Sequence, residues 1–585
     1  MALRPGLGRL FLATLTACAA ALGGCGGNGD AASPTLRDTA YGMVQGSELS
    51  TGTWAWKGLP YAKAPVGALR WKAPVEPDSW NGTIRPATQF GNACVQYGRI
   101  YGPGANNTYD ATIGTTLNQA VGSEDCLYLN IWRPATGDDK LPVIVFIHGG
   151  SNVSGYTADP VYDGATLAKT ANAVVVSVNY RLGIFGWLNL PQLKDGSSAN
   201  DDSGNFATLD TIQALRFINR NIANFGGDPG NVTVTGQSAG AINVYALMTS
   251  PLMVNASPKL MHRAVAMSGG ISLASNLPPG SLPTLNPATT ALAQGNALLQ
   301  QQLIADGLAT DVASANAYIA TQTKAQLAAY LRSKSPAALL GTLLGRLAAL
   351  GLAGSGPIPE GTVLPVDPVA SINAGNYLKV PFIASNTRDE AKLFPTFLAL
   401  SPALGGVSGR LVSDATLFSN HFGYNPNAAP TTTVQQWIPT QYLPVTTPVT
   451  GFNARTDLLN TIFFIASRNN VMAALKAQQP ASVWYYRFDW DEEPAPWNDI
   501  YGAAHAFDLP FMFGNFGPSL FSNVANSTAN QAGRLALSDA MMKSLGAFAR
   551  SGDPNTGALG VTWPTWPAQL LFDASATAKA ITVQP

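Results

Sequence analysis

The sequence predicts an α/β fold built on a central, mostly parallel sheet. Residues 141–147 and 173–179 are continuous apolar runs rich in β-branched residues, which is typical of strands covered on both faces. A third β-branched run ends at Thr235. Ahead of it, apolar residues recur every three or four positions from 209 to 222, and the Phe-Gly-Gly-Asp-Pro of residues 225–229 ends this amphipathic helix. Strand and helix therefore alternate, as they do in α/β proteins.

Length and composition favour one large domain. The chain has 585 residues, of which 46% are hydrophobic and only 12% are charged, about half the usual share of roughly 25%. The 34 basic residues balance the 34 acidic ones, so nothing favours nucleic acid or another strongly charged partner. No linker divides the chain, and we expect residues 35–585 to form a single domain. The sequence does not predict an oligomeric state.

The N-terminus resembles an export signal. Arg4 and Arg9 precede an apolar run, from Leu10 to Leu22, that is too short to span a membrane comfortably. Cys18 and Cys25 each follow residues that resemble a bacterial lipobox, in which the cysteine becomes the lipid-modified first residue. We expect a signal over residues 1–25 with lipidation at Cys25, because that site leaves the longer apolar region and precedes a loose tether over residues 26–34. The alternative is an ordinary cleaved secretory signal.

Export sets the expectation for the two remaining cysteines. Cys94 and Cys126 are the only cysteines of the mature chain, and an exported protein meets an oxidising compartment. We therefore predict that they pair, which would stabilise the fold by roughly 3 to 4 kcal/mol. The alternative is two buried free thiols. No stretch after the signal is apolar for long enough to span a membrane, so we expect a periplasmic, lipid-anchored or secreted protein.

Other segments predict the elements around this core. Residues 56–71, rich in aromatics and turn residues, indicate a structured N-terminal cap. Residues 280–355 are rich in Ala, Leu and Gln and predict an inserted helical region that can roof a site. The irregular, Thr/Pro-rich residues 401–450 are expected to belong to the same lid. The remaining predicted elements are strands at 380–385 and 482–489 and helices at 458–474 and 533–550.

Ser238 is the candidate nucleophile. It lies in Gly-Gln-Ser-Ala-Gly, residues 236–240, between the third strand and a following apolar helix. Flanking glycines allow a strained turn that exposes a serine hydroxyl at the top of a sheet. The motif alone is weak in a chain with 58 glycines, so a base and an acid must support it.

His505 is the candidate base, since a serine hydroxyl needs a group to take its proton. The chain has four histidines. His148 begins a glycine-rich turn, in which the backbone rather than the ring is expected to serve the site. His262 opens a predicted strand and is typical of a structural residue. His421 lies in a loop without site features. His505 lies in a loop between a strand and a helix.

Glu390 is the candidate acid, with Asp389 as the alternative. Both follow a strand directly, so a carboxylate there emerges at the same edge of the sheet as Ser238. Acids in the first turn of a helix also have a purely structural explanation, because they favour the helix dipole. The chain order of Ser238, Glu390 and His505 nevertheless matches that of an α/β-hydrolase triad.

Backbone amides are expected to stabilise the oxyanion of the tetrahedral intermediate. The amide of Ala239, directly after the nucleophile, is one expected donor. The turn His-Gly-Gly-Ser at residues 148–151 supplies the others, because its glycines let the backbone approach a substrate.

Several motifs in the expected order resemble the type B carboxylesterases, a family that also holds cholinesterases and bacterial nitrobenzyl esterases. They occupy residues 58–62, 123–130, 179–183, 224–229 and 236–240. The resemblance implies a single α/β-hydrolase domain with inserted lid regions, the Cys94–Cys126 bridge, and neither cofactor nor metal. It assigns the triad to Ser238, Glu390 and His505, and the oxyanion donors to Gly150, Ser151 and Ala239.

Three positions depart from the family pattern. Many relatives have a glutamate before the nucleophile, whereas Gln237 is neutral, which makes a choline ester a poor candidate substrate. Ser151 replaces the third glycine of the oxyanion loop and takes space beside the acyl chain. Ala391 replaces the glycine that usually follows the acid. These differences leave the ester undefined, whether it is a small molecule or a polymer.

The sequence therefore predicts a carboxylic ester hydrolase that works through a serine acyl-enzyme. The competing classes are a binding or adhesion protein on the same fold, since some family members have lost the serine, and an amidase or polymer-surface esterase. All three triad residue types are present, which favours the esterase.

Overall fold

The computed structural model describes residues 33–394, 412–443, 451–519 and 521–585. Within it, Thr35–Pro585 form one compact unit. The predicted signal and all but the last two residues of the predicted tether lie outside the described residues, and so do Cys18 and Cys25. Residues 401–411 and 444–450 of the predicted second lid segment also lie outside them.

A sheet of eleven strands, counted over the described residues, forms the centre. Its order is β11-β10-β9-β8-β7-β6-β4-β5-β3-β2-β1. The seven strands from β10 to β5 in this order are mutually parallel, and the strands at both edges are antiparallel to their neighbours. The strands are β1 Ser47–Leu49, β2 Thr53–Pro60, β3 Tyr128–Pro134, β4 Leu141–Ile147, β5 Val174–Val178, β6 Gly227–Gln237, β7 Arg263–Met267, β8 Phe382–Thr387, β9 Val483–Phe488, β10 Gln569–Phe572 and β11 Thr582–Gln584.

The central strands are buried on both faces. Every residue of β4 and β5 is buried. Val143 and Val145 of β4 belong to one hydrophobic cluster, and the alternating Ile144 and Phe146 belong to another, so the two clusters lie on opposite faces of the sheet. This arrangement confirms the predicted α/β fold with a mostly parallel sheet and explains why its strands have uninterrupted apolar sequences.

Helices cover the two faces. Side chains of α2, α3 and α10 belong to the first cluster, and those of α1 and α11 to the second. The helices of seven or more residues are α1 Ala165–Ala171, α2 Phe206–Asn221, α3 Ala239–Thr249, α4 Ala288–Ala305, α5 Val312–Thr321, α6 Lys324–Arg332, α7 Pro336–Thr342, α8 Asp414–His421, α9 Phe452–Leu459, α10 Ala466–Gln478 and α11 Gln531–Ser551. Shorter helices occur at Ile113–Thr116, Gly183–Gly186, Ala199–Asp202, Pro251–Val254, Pro368–Asn373, Val434–Trp437, Trp497–Ile500 and Leu509–Phe513.

Residues 280–355 are helical, as their composition predicts. Helices α4 to α7 follow one another, and a π-helical segment, Leu343–Leu347, continues α7. Leu298, Leu331 and Leu339 of this region form a third hydrophobic cluster with residues between Ile184 and Phe206. The insertion therefore has its own core against a neighbouring segment of the domain.

Three expectations about local structure need correction. The segment expected to be a cap supplies β2, because Thr53–Pro60 pairs with β3. His421 ends helix α8 and is buried, although its segment was expected to be an irregular loop. The helix expected at 458–474 consists of α9, a π-helical segment Asn460–Ile465, and α10. In each case tertiary packing supplies partners that local sequence patterns do not reveal.

Cys94 and Cys126 are joined by a disulfide, and both are buried in the first hydrophobic cluster. Among the described residues, no helix combines the length and the apolar character that a membrane crossing requires.

Candidate active site

Ser238 occupies a strained turn between β6 and α3. Its φ of 58° and ψ of −124° are unfavourable for a residue with a side chain. A Cβ on Gly236 would overlap the carbonyl oxygen of Gly240, and a Cβ on Gly240 would overlap that of Ile147. The Ser238 amide donates to the Met267 carbonyl at 2.8 Å. The turn therefore has room only for glycine on both sides of the serine. Ser238 itself is half-buried, just after the end of β6.

The candidate oxyanion loop follows β4 and lies directly beside this turn. A Cβ on Gly149 would lie 2.8 Å from the Cβ of Ser238. Gly150, Ser151 and Asn152 all have positive φ, at 104°, 55° and 59°. The amides of Gly150, Ser151 and Ala239 donate to no described residue. Three free N–H groups therefore flank the serine, as an oxyanion site requires.

The loop is fixed from behind. The Asn152 carbonyl accepts from the amide of Gly183 at 2.7 Å, and its Oδ1 accepts from Asn243 Nδ2 at 3.0 Å. Asn243 is on α3, so one hydrogen bond ties the candidate oxyanion loop to the helix that follows Ser238. The backbone and the side chain of Asn152 thus each hold the loop through one hydrogen bond.

Glu390 and His505 form a buried pair, although 115 positions separate them in the chain. Glu390 is 1% exposed and His505 is 3% exposed. Glu390 Oε2 contacts His505 Nδ1. The other carboxylate oxygen accepts from the Thr387 amide at 2.9 Å and from Asn386 Nδ2 at 3.0 Å. The carboxylate is therefore held by three partners and faces the imidazole.

Asp389, the alternative acid, does not contact His505 among the hydrogen bonds of the described residues. Its Oδ2 accepts from the Ala503 amide at 3.1 Å and from Arg388 Nη2 at 2.8 Å, and its Oδ1 lies 3.3 Å from Lys392 Nζ. The Asp389 amide also donates to the Ala503 carbonyl at 2.9 Å. Asp389 therefore joins the turn that carries Glu390 to the loop that carries His505.

The second ring nitrogen of His505 faces the nucleophile turn. Gln237 Nε2 lies 3.1 Å from His505 Nε2. Gln237 precedes Ser238 directly, so this contact places the ring beside the turn that carries the serine. Among the described residues, the Ser238 hydroxyl has no hydrogen-bond partner, and His505 bonds to Gln237 instead. The rings of Phe394 and Phe464 each have centroids 5.2 Å from that of His505.

The other three histidines have structural roles. The His148 ring stacks on Tyr180 with centroids 4.6 Å apart, and burial lowers its pKa to about 4. His262 Nδ1 accepts from the Val232 amide at 3.2 Å. Burial lowers the pKa of His421 to about 4 as well, and Tyr501 Oη lies 3.2 Å from its Nε2. Each of these rings therefore has a partner other than Ser238.

Sequence reasoning missed several residues that support the site. Asn386 binds the acid, and Asn460 binds its turn by accepting from the Ala391 amide at 2.8 Å and donating to the Arg388 carbonyl at 2.9 Å. Asn386 is the penultimate residue of the buried strand β8, four positions before Glu390, a local signal that could have been used. Asn460 lies in a π-helical segment and carries no such signal. The contact between Gln237 and His505 was not expected either.

Burial also shifts a nearby carboxyl group. Asp508 is fully buried, accepts from Tyr486 Oη at 3.1 Å, and has a pKa raised to about 7 by burial and, secondarily, by the charge of Glu390. Among the described residues, no cluster of His, Cys, Asp and Glu could hold a metal ion.

A strained serine turn, free amides beside it and a buried carboxylate–imidazole pair, all at one edge of a parallel sheet, define an enzyme of the α/β-hydrolase class. The comparisons with known proteins narrow this class. The pattern described as "Carboxylesterase family" matches residues 33–572. The chain therefore belongs to the carboxylesterase family. This membership, together with its esterase relatives, identifies the chain as a carboxylic ester hydrolase.

Among curated relatives, the para-nitrobenzyl esterase of Bacillus subtilis (strain 168) is 31% identical over 90% of this chain and 92% of its own length. The fumonisin B1 esterase of Sphingopyxis macrogoltabida is 31% identical over 91% of this chain and 84% of its own. A solved PNB esterase is 27% identical, with a TM-score of 0.67, over 94% of this chain and 98% of its own. A carboxylesterase of Geobacillus stearothermophilus is 29% identical, with a TM-score of 0.66 over the same shares.

Proposed function

We propose that this carboxylic ester hydrolase works through an acyl-enzyme on Ser238, with His505 as the general base and Glu390 as the residue that orients the imidazole. The observation that carries the proposal is the contact of His505 with Glu390 on one nitrogen and with the residue beside Ser238 on the other. No other histidine of the chain has this arrangement.

In the proposed reaction, Ser238 Oγ attacks the ester carbonyl and its proton passes to His505 Nε2. The amides of Gly150, Ser151 and Ala239 stabilise the oxyanion, each worth about 10²–10³ in turnover. The intermediate collapses as His505 returns the proton to the leaving alcohol. Water, activated by the same nitrogen, then attacks the acyl-enzyme and releases the acid.

The first test is hydrolysis of a para-nitrobenzyl ester and of short nitrophenyl esters by the purified chain and by Ser238→Ala. We expect Ser238→Ala to lose at least about 10⁴ in kcat, because the nucleophile is absent. Its melting temperature should stay close to that of the wild type, since only one half-buried oxygen is removed. Ser333→Ala, a substitution on the exposed surface of the helical insertion, is the matched control and should keep full activity.

A fluorophosphonate probe distinguishes the competing classes. It should label Ser238 in the folded chain, and a folded chain that resists labelling would instead support a binding or adhesion protein. Ester and amide analogues with the same acyl group separate an esterase from an amidase. A panel from acetate to long acyl chains, together with a polymeric ester, would define the substrate, in which Ser151 is expected to limit acyl size.

We also propose that the chain is exported and anchored by lipid at Cys25. The support is the pair of arginines before a short apolar run and the lipobox-like residues that end at Cys25. Mass spectrometry of the mature N-terminus checks this: a diacylated cysteine is expected, and Cys25→Ser should release the enzyme from the membrane fraction. Lipid on Cys18, or an unmodified mature terminus, would contradict the assignment.

A further inference from the structure

Gln237 contacts the proposed catalytic base but has no role in the proposed reaction. It is the last residue of β6 and is only 3% exposed. Its Nε2 lies 3.1 Å from His505 Nε2, which is the nitrogen that must receive the serine proton. Its Oε1 points toward the oxyanion loop, because a Cβ on Gly149 would lie 2.9 Å from that oxygen.

The proton positions follow from the chemistry of the partners. A carboxylate only accepts hydrogen bonds, so His505 Nδ1, which faces Glu390, carries the hydrogen. Nε2 then has the lone pair and is an acceptor. A carboxamide NH₂ group is a donor, so the Gln237–His505 contact is a hydrogen bond to the neutral ring. Protonation of Nε2 would place two donors face to face.

We propose that Gln237 is a positioning residue that stabilises the neutral, Nε2-unprotonated form of His505 before substrate binds, and thereby extends esterase activity toward acidic pH. The proposal rests on the proposed role of His505 as the base. When substrate is bound, the Ser238 hydroxyl takes the place of the carboxamide at Nε2. A hydrogen bond to the neutral form of a base opposes its protonation, whereas a carboxylate in the same place favours it.

The other charged groups around the His505 ring are the same in the wild type and in variants at position 237. Glu390 faces Nδ1, and Asp508 lies close enough for its charge to interact with His505. Phe394 and Phe464, which cover the ring from two further segments, are uncharged. A difference between variants at position 237 therefore reports on that position, although Asp508 also titrates near pH 7.

The experiment is the pH profile of kcat/KM, from pH 4.5 to 9, for the wild type, Gln237→Glu and Gln237→Met. We expect the acid limb of Gln237→Glu to move up by about one pH unit or more, with rates within about tenfold of wild type on the alkaline plateau. Gln237→Met keeps the volume but removes the donor, so its acid limb should move up by about half a unit.

Acid limbs that stay in place in both variants would overturn the proposal. A downward shift for Gln237→Met would also overturn it, because that sign means that Oε1, rather than the NH₂ group, faces His505 in the wild type. Gln294→Glu, a buried glutamine in the helical insertion, is the matched control and should leave the midpoint unchanged. Asp508→Asn identifies any part of the acid limb that belongs to Asp508.

A readout without turnover separates this proposal from the proposed function. Nitrogen NMR of histidine-labelled Ser238→Ala protein, with and without Gln237→Met, follows the His505 ring through the same pH range. His148 and His421, whose pKa burial lowers to about 4, stay neutral over most of that range. An unchanged His505 midpoint overturns the role of Gln237 even if the esterase reaction is established. A shifted midpoint supports it even if another residue proves to be the nucleophile.

Discussion

The two halves of the site are built by different physical means. The half that carries Ser238 and the candidate oxyanion loop depends on backbone packing, because a Cβ on Gly149, Gly236 or Gly240 would overlap neighbouring atoms. The half that carries Glu390 and His505 depends on buried hydrogen bonds and charges. The first half should therefore respond to side-chain volume, and the second to charge and pH.

The largest effect is expected from volume in the nucleophile half. Gly240→Ala would drive a methyl group into the backbone of β4, so the turn must open and Ser238 must move. We expect esterase activity below detection and a free energy of unfolding lower by at least about 3 kcal/mol.

Gly341→Ala is the matched control, because it also adds one methyl group but has no atom within 4 Å of the new carbon. It lies in α7, where alanine should stabilise by about 0.5–1 kcal/mol. Thermal unfolding and kcat/KM of both variants check the contrast. A folded, fully active Gly240→Ala would show that the turn does not depend on this packing.

The next effect is expected from charge in the acid–base half. Glu390→Gln keeps the side-chain volume but places a neutral amide against His505 Nδ1. The amide no longer holds the imidazole in the tautomer that carries its hydrogen on Nδ1. We expect kcat to fall by about 10³–10⁴. Steady-state kinetics with a nitrophenyl ester measure this, and circular dichroism should show an intact fold. A loss of less than tenfold would mean that Glu390 is not the orienting acid.

Asp389→Asn should have a smaller effect on activity and a clear effect on stability. It leaves Lys392, which is 4% exposed, without its buried carboxylate, at a cost of about 3 kcal/mol. The Ala503 amide loses its charged acceptor, while the backbone hydrogen bond from residue 389 to the Ala503 carbonyl remains, and we expect kcat to fall by about 10- to 100-fold. A loss larger than that of Glu390→Gln would reverse the two assignments, and an equal loss would contradict the predicted difference between them.

The smallest effect on activity is expected at Asp508. Its pKa of about 7 in the folded chain lies above that of the unfolded chain, so its contribution to stability is present at low pH and is lost as pH rises toward 7. Between pH 5 and pH 8 this loss amounts to about 2–3 kcal/mol. Urea unfolding at both pH values should show that Asp508→Asn lacks this decrease, and an identical decrease in the variant would contradict the assignment.

Sequence patterns were sufficient for most of the fold because they reflect local sterics and burial. Uninterrupted β-branched runs identified β4 and β5, and the Ala- and Leu-rich composition identified the helical insertion. They failed where long-range pairing decided the structure. Residues 56–60 look like an irregular aromatic segment, yet pairing with β3 makes them part of β2.

The sequence by itself determined the turn at Ser238 and the turn at residues 148–151, because the geometry of each turn follows from glycines that lie within it. Chain order and family resemblance proposed Glu390 and His505, but could not show what separates Glu390 from Asp389. Only the tertiary structure decided that one of these adjacent acids faces the imidazole while the other anchors Ala503. The same holds for Gln237, whose contact joins residues 268 positions apart. Contacts of this kind depend on the packing of whole strands, which no local pattern in the sequence encodes.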